Sequence, residues 1–288
     1  MIPTVTECRL RGAHGITLAT TRYGGADRPP VVFLHGAGQT RHAWAETAGH
    51  VAELGWQAIC VDHRGHGDSD WPDSPDYDFD HYADDIDEII EQLDEPPVMV
   101  GASLGGIAIL LAHGRQESQR YRGVVLVDIT PSIDVAGAKR ILNFMAAHPE
   151  GFATLEEASN RIADFTGRAR PDRLDGLAQV LRQDPVTGRW CWHWDQRFLQ
   201  GRLDRDTLDE RTAELRQRLL SAARTLTAPT LLVRGGRSEL VTPEAVDELV
   251  RAAPHARTVD VAEAGHMIAG DASDPFTSVV CEFLSALP

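Results

Sequence analysis

One serine in this chain stands where its hydroxyl can act as a nucleophile. Ser103 is the centre of Gly101-Ala102-Ser103-Leu104-Gly105, which follows an apolar run and opens a helix-like stretch. A serine at a tight strand-to-helix turn is held in a strained conformation that exposes its hydroxyl, and only small neighbours fit there. The helix that follows points its positive end at the same place. The pattern predicts a nucleophile where negative charge develops, as in acyl transfer.

A serine nucleophile needs a base, and histidine is a residue type that can serve as one. His266 closes Ala264-Gly265-His266, directly after the last predicted strand. Histidine titrates near neutral pH, and it needs a carboxylate to hold its tautomer and stabilise its charge.

The apolar runs beside these groups alternate with helical patterns. A polar hairpin is predicted near residues 5–23, turning at 12–15. Predicted strands cover 31–34, 58–61, 98–102, 124–127, 229–233 and 257–261, and predicted helices cover 43–54, 79–93, 104–113, 243–252 and 274–286. Strands rich in Val and Ile that alternate with helices predict an α/β fold, with a mostly parallel central sheet covered by helices on both faces.

The alternation stops between residues 131 and 228. This segment looks helical and arginine-rich, and it contains the aromatic run Trp190-Cys191-Trp192-His193-Trp194. A block inserted between two strands of one sheet is best interpreted as a helical cap over the carboxyl ends of the strands, where ligands bind in such sheets. The expected organisation is therefore a core of 1–130 with 229–288 and a cap of 131–228.

Charge composition excludes several classes of partner. The formal net charge is −15, from 43 acidic and 28 basic residues, and Lys139 is the one lysine. Such a chain has no basic patch for nucleic acid and is repelled by anionic membranes. A small-molecule substrate is the expected partner, for a monomer or a homodimer.

Cysteine usage, the N-terminal pattern and the length of the apolar runs together predict a cellular compartment. The four cysteines, Cys8, Cys60, Cys191 and Cys281, are scattered, which is typical of free thiols in a reducing environment. The N-terminus lacks the pattern of a signal peptide, and no apolar run reaches membrane-spanning length. A cytoplasmic protein is expected.

Three further motifs lie at predicted strand ends and complete a resemblance. They are His35-Gly36-Ala37-Gly38, Asp62-His63-Arg64-Gly65-His66-Gly67-Asp68-Ser69 and Ala264-Gly265-His266. With the serine motif, their order and spacing resemble those of the α/β-hydrolase family over nearly the whole chain. The resemblance implies that Ser103 is the nucleophile and His266 the general base. It also implies an oxyanion hole formed by the backbone N–H groups of Ala37 and Leu104.

The acid is where the chain departs from the family's commonest pattern. Most relatives have aspartate after the strand that precedes Gly236, and this chain has Glu239 there. Some relatives take the acid from the preceding strand end, which here is Asp128. The position in the motif favours Glu239, while both residues satisfy the chain order of serine, acid and histidine. If it is not the acid, Asp128 is expected to be structural.

Other residues have weaker roles assigned to them. Gln39 and Trp44 follow the oxyanion motif and are candidate substrate-binding residues. Trp192 and Trp194 share one face of an extended segment and are candidates for the same role, although packing of the cap is the favoured alternative for these two. His35 is expected to support the oxyanion loop, and Asp62 and Arg64 to pair with each other. The acidic run at 84–91 is expected to be a solvated face. No histidine spacing indicates a metal, and no cofactor is expected.

The resemblance implies a hydrolase that cleaves an ester or lactone of a small to medium, fairly apolar substrate through a seryl acyl-enzyme. Serine at position 103 argues against the branches of the family that use aspartate there. A carbon–carbon bond hydrolase or a cofactor-free perhydrolase is the alternative within enzymes, because one fold serves many reactions. A non-catalytic small-molecule receptor is the alternative of another class.

Overall fold

The computed structural model describes residues 3–75, 77–115, 120–167, 170, 174–202, 205–262, 264–266 and 273–288, without the side chains of 175, 205–209, 273 and 274. Its main feature is an eight-stranded sheet in the order β1-β2-β4-β3-β5-β6-β9-β10. The strands are β1 Val5–Arg11, β2 Thr17–Tyr23, β3 Pro30–Leu34, β4 Gln57–Val61, β5 Val98–Ala102, β6 Gly123–Val127, β9 Thr230–Gly235 and β10 Arg257–Val261.

Most of this sheet is parallel. The β1–β2 hairpin is antiparallel and joins β4 in antiparallel fashion, whereas the pairs from β4 to β10 are parallel. Every residue of β3, β4, β5 and β6 is buried, as expected for strands covered on both faces. The α/β fold with a mostly parallel sheet, and the hairpin at its edge, are confirmed.

Helices cover both faces of the sheet. The helices are α1 Ala45–Glu53, α2 Phe79–Glu91, α3 Leu104–Gly114, α4 Val135–Ala146, α5 Leu155–Thr166, α6 Arg205–Thr225, α7 Pro243–Ala252 and α8 Ser273–Ser285. One core cluster joins the sheet to α1 and α8. A larger cluster joins the other face to α2, α3, α6 and α7. Within the described ranges, no helix is long and apolar enough to cross a membrane.

The segment between β6 and β9 contains more than helices. Besides α4, α5 and α6 it has a small antiparallel ribbon, β7 Leu181–Gln183 and β8 Trp190–Trp192, and two short 3-10 helices, Asp175–Gln179 and Gln196–Leu199. The segment that was expected to look helical is therefore mostly helical, with a short ribbon in addition. The alternating tryptophans of β8 are the reason, because an extended segment buries every second side chain.

Candidate active site

Ser103 occupies the turn between β5 and α3. Its backbone has φ 45° and ψ −108°, a strained conformation for a residue other than glycine. Its N–H donates to the carbonyl oxygen of Val127 at 3.2 Å, which ties the turn to the end of β6. The next residue, Leu104, is the first of α3, so the N-terminus of that helix adjoins the serine. The predicted strand–serine–helix turn is present.

Glycine is required beside this turn because α3 approaches the sheet closely. A Cβ on Gly105 would lie 2.5 Å from the carbonyl oxygen of Leu34 in β3. Real Cβ atoms do not come that near to backbone oxygen, so any side chain here would displace the helix from the strand. The small residues around Ser103 therefore have a packing reason as well as a chemical one.

The loop after β3 is held by hydrogen bonds to its backbone. The N–H of Gly36 donates to Oε1 of Gln39 at 3.0 Å, and the N–H of Gly38 donates to Nε2 of His66 at 3.2 Å. Gly38 has φ +79°, in the left-handed region. These contacts fix Ala37, which lies between the two glycines and faces the same cavity as Ser103 and Leu104.

Three buried histidines, His35, His63 and His66, form a cluster beneath this loop. Nδ1 of His35 donates to the carbonyl oxygen of Gly36 at 2.8 Å, and its Nε2 accepts the N–H of His63 at 3.0 Å. Nδ1 of His66 donates to the carbonyl oxygen of Arg64 at 3.0 Å. Burial lowers the pKa of His35 to about 4 and the pKa of His66 to about 3, so both rings are neutral near pH 7. The supporting role expected for His35 matches this geometry.

His266 is held by a buried carboxylate. Its Nδ1 lies 2.7 Å from Oδ2 of Asp128, whose side chain is fully buried while 17% of the histidine side chain is exposed. With Nδ1 donating, Nε2 is left free to accept a proton. Asp128 directly follows β6 and adopts φ 47°, which aspartate tolerates better than most residues.

Asp128 has two further donors that fix its orientation. Its Oδ1 accepts the N–H of Gly235 at 2.9 Å, and its Oδ2 accepts the hydroxyl of Ser238 at 2.6 Å. The hydroxyl oxygen of Ser238 in turn accepts the N–H groups of Leu240 and Val241, each at 3.1 Å. Ser238 is a positioning residue that the sequence did not single out, although it is the neighbour of the favoured acid.

The prediction that Glu239 holds His266 is wrong in this structure. The Glu239 carboxylate pairs instead with Arg140 of α4, and both side chains are about half exposed. A Cβ on Gly137 would lie 2.2 Å from the Glu239 carbonyl oxygen, so α4 packs directly on this loop. Because the loop turns its Ser238 hydroxyl towards Asp128, the side chain of the next residue points towards solvent and α4.

An apolar cavity of about 140 Å³ adjoins Ser103. Its walls near the serine are Ala37, Leu104 and Ile107. The inserted segment 131–228 contributes a second group of apolar side chains to the walls: Ile133, Ala138, Ile141, Leu142, Met145, Phe198 and Leu215. We call this space the Ser103 cavity. It provides room for an apolar group next to Ser103.

The predicted pocket residues after the oxyanion motif lie outside these walls. Trp44 is fully buried and packs on Phe33 and Phe276, in the core cluster between the sheet and α1 and α8. Its assignment to the pocket is therefore wrong, because the 3-10 helix before α1 turns the ring into the core. Gln39 uses its side-chain oxygen within the loop and does not line the cavity.

Trp192 and Trp194 follow the packing alternative. Trp192 contacts Phe152 edge-on at 5.3 Å between ring centroids, and Trp194 stacks on His66 at 6.4 Å. Both rings are buried, and neither belongs to the cavity walls. Trp194 attaches the inserted segment to the histidine cluster, and Trp192 packs on Phe152 within that segment, which is the packing that was favoured for these tryptophans.

Two buried ion pairs differ from the expected ones. Arg64 pairs with Asp85 of α2, with Nη2 to Oδ1 at 2.6 Å, and the backbone N–H of Arg41 donates to Asp62 at 2.6 Å while its guanidinium contacts the same carboxylate. The predicted Asp62–Arg64 pair is therefore wrong. Asp85 is buried, so the acidic run on α2 is not entirely a solvated face.

One surface group has metal-ligand chemistry that the sequence spacing did not reveal. In the part of the chain that the structure describes, ligand atoms of His14, His81 and Asp84 lie within 4.8 Å of one another. The Asp84 carboxylate is bound by His14 and by Arg115. Because a cationic guanidinium already neutralises the acid, this group is a surface ion-pair network.

Comparison with known proteins agrees with this geometry. The sequence model of the α/β hydrolase fold matches residues 29–272. The chain belongs to the α/β hydrolase fold family. Esterases are among its relatives, which supports a hydrolase.

The proteins that this chain resembles include an esterase and two other named hydrolases. The chain is 30% identical to Esterase Rv0045c of Mycobacterium tuberculosis over 267 residues, 88% of this chain and 82% of that protein. It is 28% identical to the 3-hydroxybutyrate-oligomer hydrolase of Cupriavidus necator, over 86% of each chain. The crystal structure of E-2-(acetamidomethylene)succinate hydrolase superposes with a TM-score of 0.81, at 25% identity, over 98% of this chain and 100% of that one.

Proposed function

We propose that this protein is a serine hydrolase that cleaves a carboxylic ester or a lactone through a seryl acyl-enzyme. The observation that carries the proposal is the strained Ser103 turn beside an apolar cavity, with His266 held by the buried Asp128, which follows β6, the strand next to β5. The esterase among the relatives supports an ester bond as the target.

The chemistry follows from the donors and acceptors of the site. Nε2 of His266 takes the proton of the Ser103 hydroxyl as the oxygen attacks the substrate carbonyl. The N–H groups of Ala37 and Leu104 stabilise the resulting oxyanion. The imidazolium then protonates the leaving alcohol and later activates the water that releases the acid.

Asp128 acts through the imidazole. As a buried carboxylate with three hydrogen-bond donors, it keeps Nδ1 of His266 protonated and stabilises the ring when Nε2 gains a proton. Ser238 positions that carboxylate. The reactive serine, the base and the acid thus come from the ends of β5, β10 and β6, where ligands bind in open α/β sheets.

The walls of the Ser103 cavity favour a substrate with a mostly hydrocarbon group next to its scissile bond. Aryl or medium-chain esters are expected to be cleaved faster than short polar esters, because each methylene buried against such walls contributes about 0.8 kcal/mol. A preference for short polar esters would contradict this part of the proposal.

Covalent labelling tests the proposal directly. A fluorophosphonate should add once to the protein, and peptide mapping should find the adduct on Ser103. Ser103→Ala should give no adduct and lose activity by about 10⁴-fold or more, since residual catalysis over water is small without the nucleophile. A folded wild-type protein that takes no label and binds small esters without turnover would overturn the proposal in favour of a receptor.

A further inference from the structure

Two arginines lie on the wall of the Ser103 cavity and have no part in the mechanism above. Arg202 follows the 3-10 helix Gln196–Leu199, and Arg211 lies on α6. The walls of this cavity are otherwise almost entirely apolar. A cationic group in such surroundings loses hydration, so its presence needs a physical reason.

Arg202 is held in a fixed orientation without an ionic partner from the described side chains. Nη1 donates to the carbonyl oxygen of Phe198 at 2.7 Å, and Nη2 donates to that of Tyr77. The guanidinium lies over two aromatic rings, 4.1 Å from the centroid of Phe198 and 5.0 Å from that of Phe79. Burial lowers the pKa of Arg202 most and the charge of Arg211 lowers it further, whereas Tyr82 and the carboxylate of Asp78, which lies beyond ion-pair distance, act in the opposite direction.

Arg41 and Arg64, the two arginines that are buried among the described residues, have carboxylate partners. Arg64 has Asp85, and Arg41 has Asp62. Among the described side chains, none of the recorded ion pairs within 4.0 Å involves Arg202 or Arg211. Three of the five guanidinium N–H groups of Arg202 are left after its two carbonyl contacts, which is enough for a two-point contact with a carboxylate.

We propose that Arg202, assisted by Arg211, binds a carboxylate of the substrate in the Ser103 cavity. The preferred substrates are then half-esters of dicarboxylic acids, in which one carboxyl is free and the other forms the scissile ester. The hydrocarbon part between the two carboxyls lies along the apolar walls. This inference rests on the proposed serine hydrolase activity and specifies its substrate class.

The test compares two esters that differ in one group. Mono-4-nitrophenyl adipate carries a terminal carboxylate, and 4-nitrophenyl hexanoate has the same number of acyl carbons without it. The wild-type kcat/KM should be at least about tenfold higher for the adipate. Arg202→Gln should lower kcat/KM for the adipate about 10- to 100-fold, mainly through KM, because a charged hydrogen bond is lost. The same variant should change the hexanoate value by less than about threefold.

Further variants separate the roles of the two arginines. Arg211 is exposed, so Arg211→Gln should have a smaller effect, about threefold on the adipate, that disappears in salt. Arg216 lies on the same helix, pairs with Glu248 and is absent from the cavity walls, so Arg216→Gln is the matched control and should change neither ester. If Arg202→Gln does not fold, inhibition of the wild-type protein decides: adipate should inhibit at least about tenfold more strongly than adipamide.

The outcomes distinguish this inference from the function on which it rests. Three outcomes would overturn the carboxylate site and leave the serine hydrolase. They are equal wild-type kcat/KM for both esters, an equal loss of kcat/KM for both esters in Arg202→Gln, and equal inhibition by adipate and adipamide. Failure of both esters together with failure of fluorophosphonate to label Ser103 would overturn the proposed function, and this inference with it.

Discussion

The carboxyl ends of the strands, where Ser103 lies, form a region that we call the sheet edge. This region and the inserted segment next to it differ in how their buried polar groups are paired. At the sheet edge, both carboxylate oxygens of Asp128 and both ring nitrogens of His35 and of His66 have hydrogen-bond partners. In the inserted segment, the cavity walls are aliphatic and aromatic, and Arg202 has only carbonyl oxygens and ring faces among the described contacts.

This contrast assigns different tasks to the two regions. Buried groups that are fully hydrogen-bonded are expensive to move, since each lost partner costs about 1–3 kcal/mol. The sheet edge is therefore rigid in the atoms that react. One apolar wall residue can be replaced by another of similar volume at lower cost, so we expect substitutions in the inserted segment to change substrate preference. Reactivity and selectivity are expected to respond to different substitutions.

Apart from replacement of Ser103 itself, the largest effect is expected at Asp128. Asp128→Asn removes the negative charge beside Nδ1 of His266 and favours the wrong tautomer, so kcat for ester hydrolysis should fall about 10³- to 10⁴-fold. Steady-state kinetics with 4-nitrophenyl hexanoate measures this. Glu239→Gln is the matched control, because its carboxylate contacts the exposed Arg140, and its kcat should stay within about twofold of the wild-type value.

The opposite pattern, with Glu239→Gln inactive and Asp128→Asn active, would show that the loop after β9 supplies the acid. The comparison between a rigid sheet edge and an adaptable insertion would then fail at its most important residue. Urea unfolding of both variants should accompany the kinetics, so that a loss of folded protein is not mistaken for a loss of turnover.

A second effect concerns stability at acid pH. The pKa values of His35 and His66 are lowered by burial to about 4 and about 3, whereas the unfolded chain binds protons near pH 6.5. Between pH 6.5 and 4 the unfolded state therefore holds more protons, and the free energy of unfolding decreases as pH falls, by about 1.4 kcal/mol per pH unit for each histidine. Urea titrations at pH 7, 6 and 5 measure the slope.

His66→Gln is the variant that sharpens this expectation. The side-chain oxygen of the glutamine can accept the N–H of Gly38 as Nε2 of His66 does, but the glutamine amide does not titrate. The slope of the free energy of unfolding against pH should decrease between pH 6.5 and 5 by the contribution of about one proton, which is about 1.4 kcal/mol per pH unit. An unchanged slope would mean that the histidine cluster does not determine the acid sensitivity of the sheet edge.

The smallest effect is expected in the cavity walls. Ile141→Ala removes an apolar side chain of α4 from the Ser103 cavity, so kcat/KM for the hexanoate ester should fall about 5- to 10-fold relative to the acetate ester. Trp44→Phe lies in the separate core between the sheet and α1 and should leave this ratio unchanged. A change of chain-length preference in Trp44→Phe would contradict the division between the two regions.

Local patterns predicted much of the sheet domain. The bounds of β5, β10 and α7 agree with those expected from the sequence, and the hairpin of β1 and β2 was expected as well. These elements are determined by periodicity within a few residues, which is why the sequence is sufficient for them. The inserted segment was harder, because its β7–β8 ribbon depends on pairing between segments that lack a clear alternation outside the tryptophans.

The partners of charged side chains were the least predictable feature. Arg64 and Asp62 are two residues apart, yet Arg64 pairs with α2 and Asp62 with Arg41. Side chains two apart in an irregular loop point in directions that depend on the loop's dihedral angles, which no local pattern specifies. The same reason explains Trp44, whose ring turns into the core although its neighbours in sequence belong to the oxyanion loop.

The sequence by itself predicted the Ser103 turn and the parallel sheet that carries it, since a serine between a buried strand and a glycine-rich helix start has few other conformations. The tertiary structure alone decided which carboxylate holds His266 and which side chains form the Ser103 cavity. Asp128 was selected because the hydroxyl of Ser238 and the N–H of Gly235 turn its carboxylate to His266, and α4 holds Glu239 away. Arg202 joined the cavity walls because three segments distant in sequence meet there, a proximity that arises only when the chain has folded.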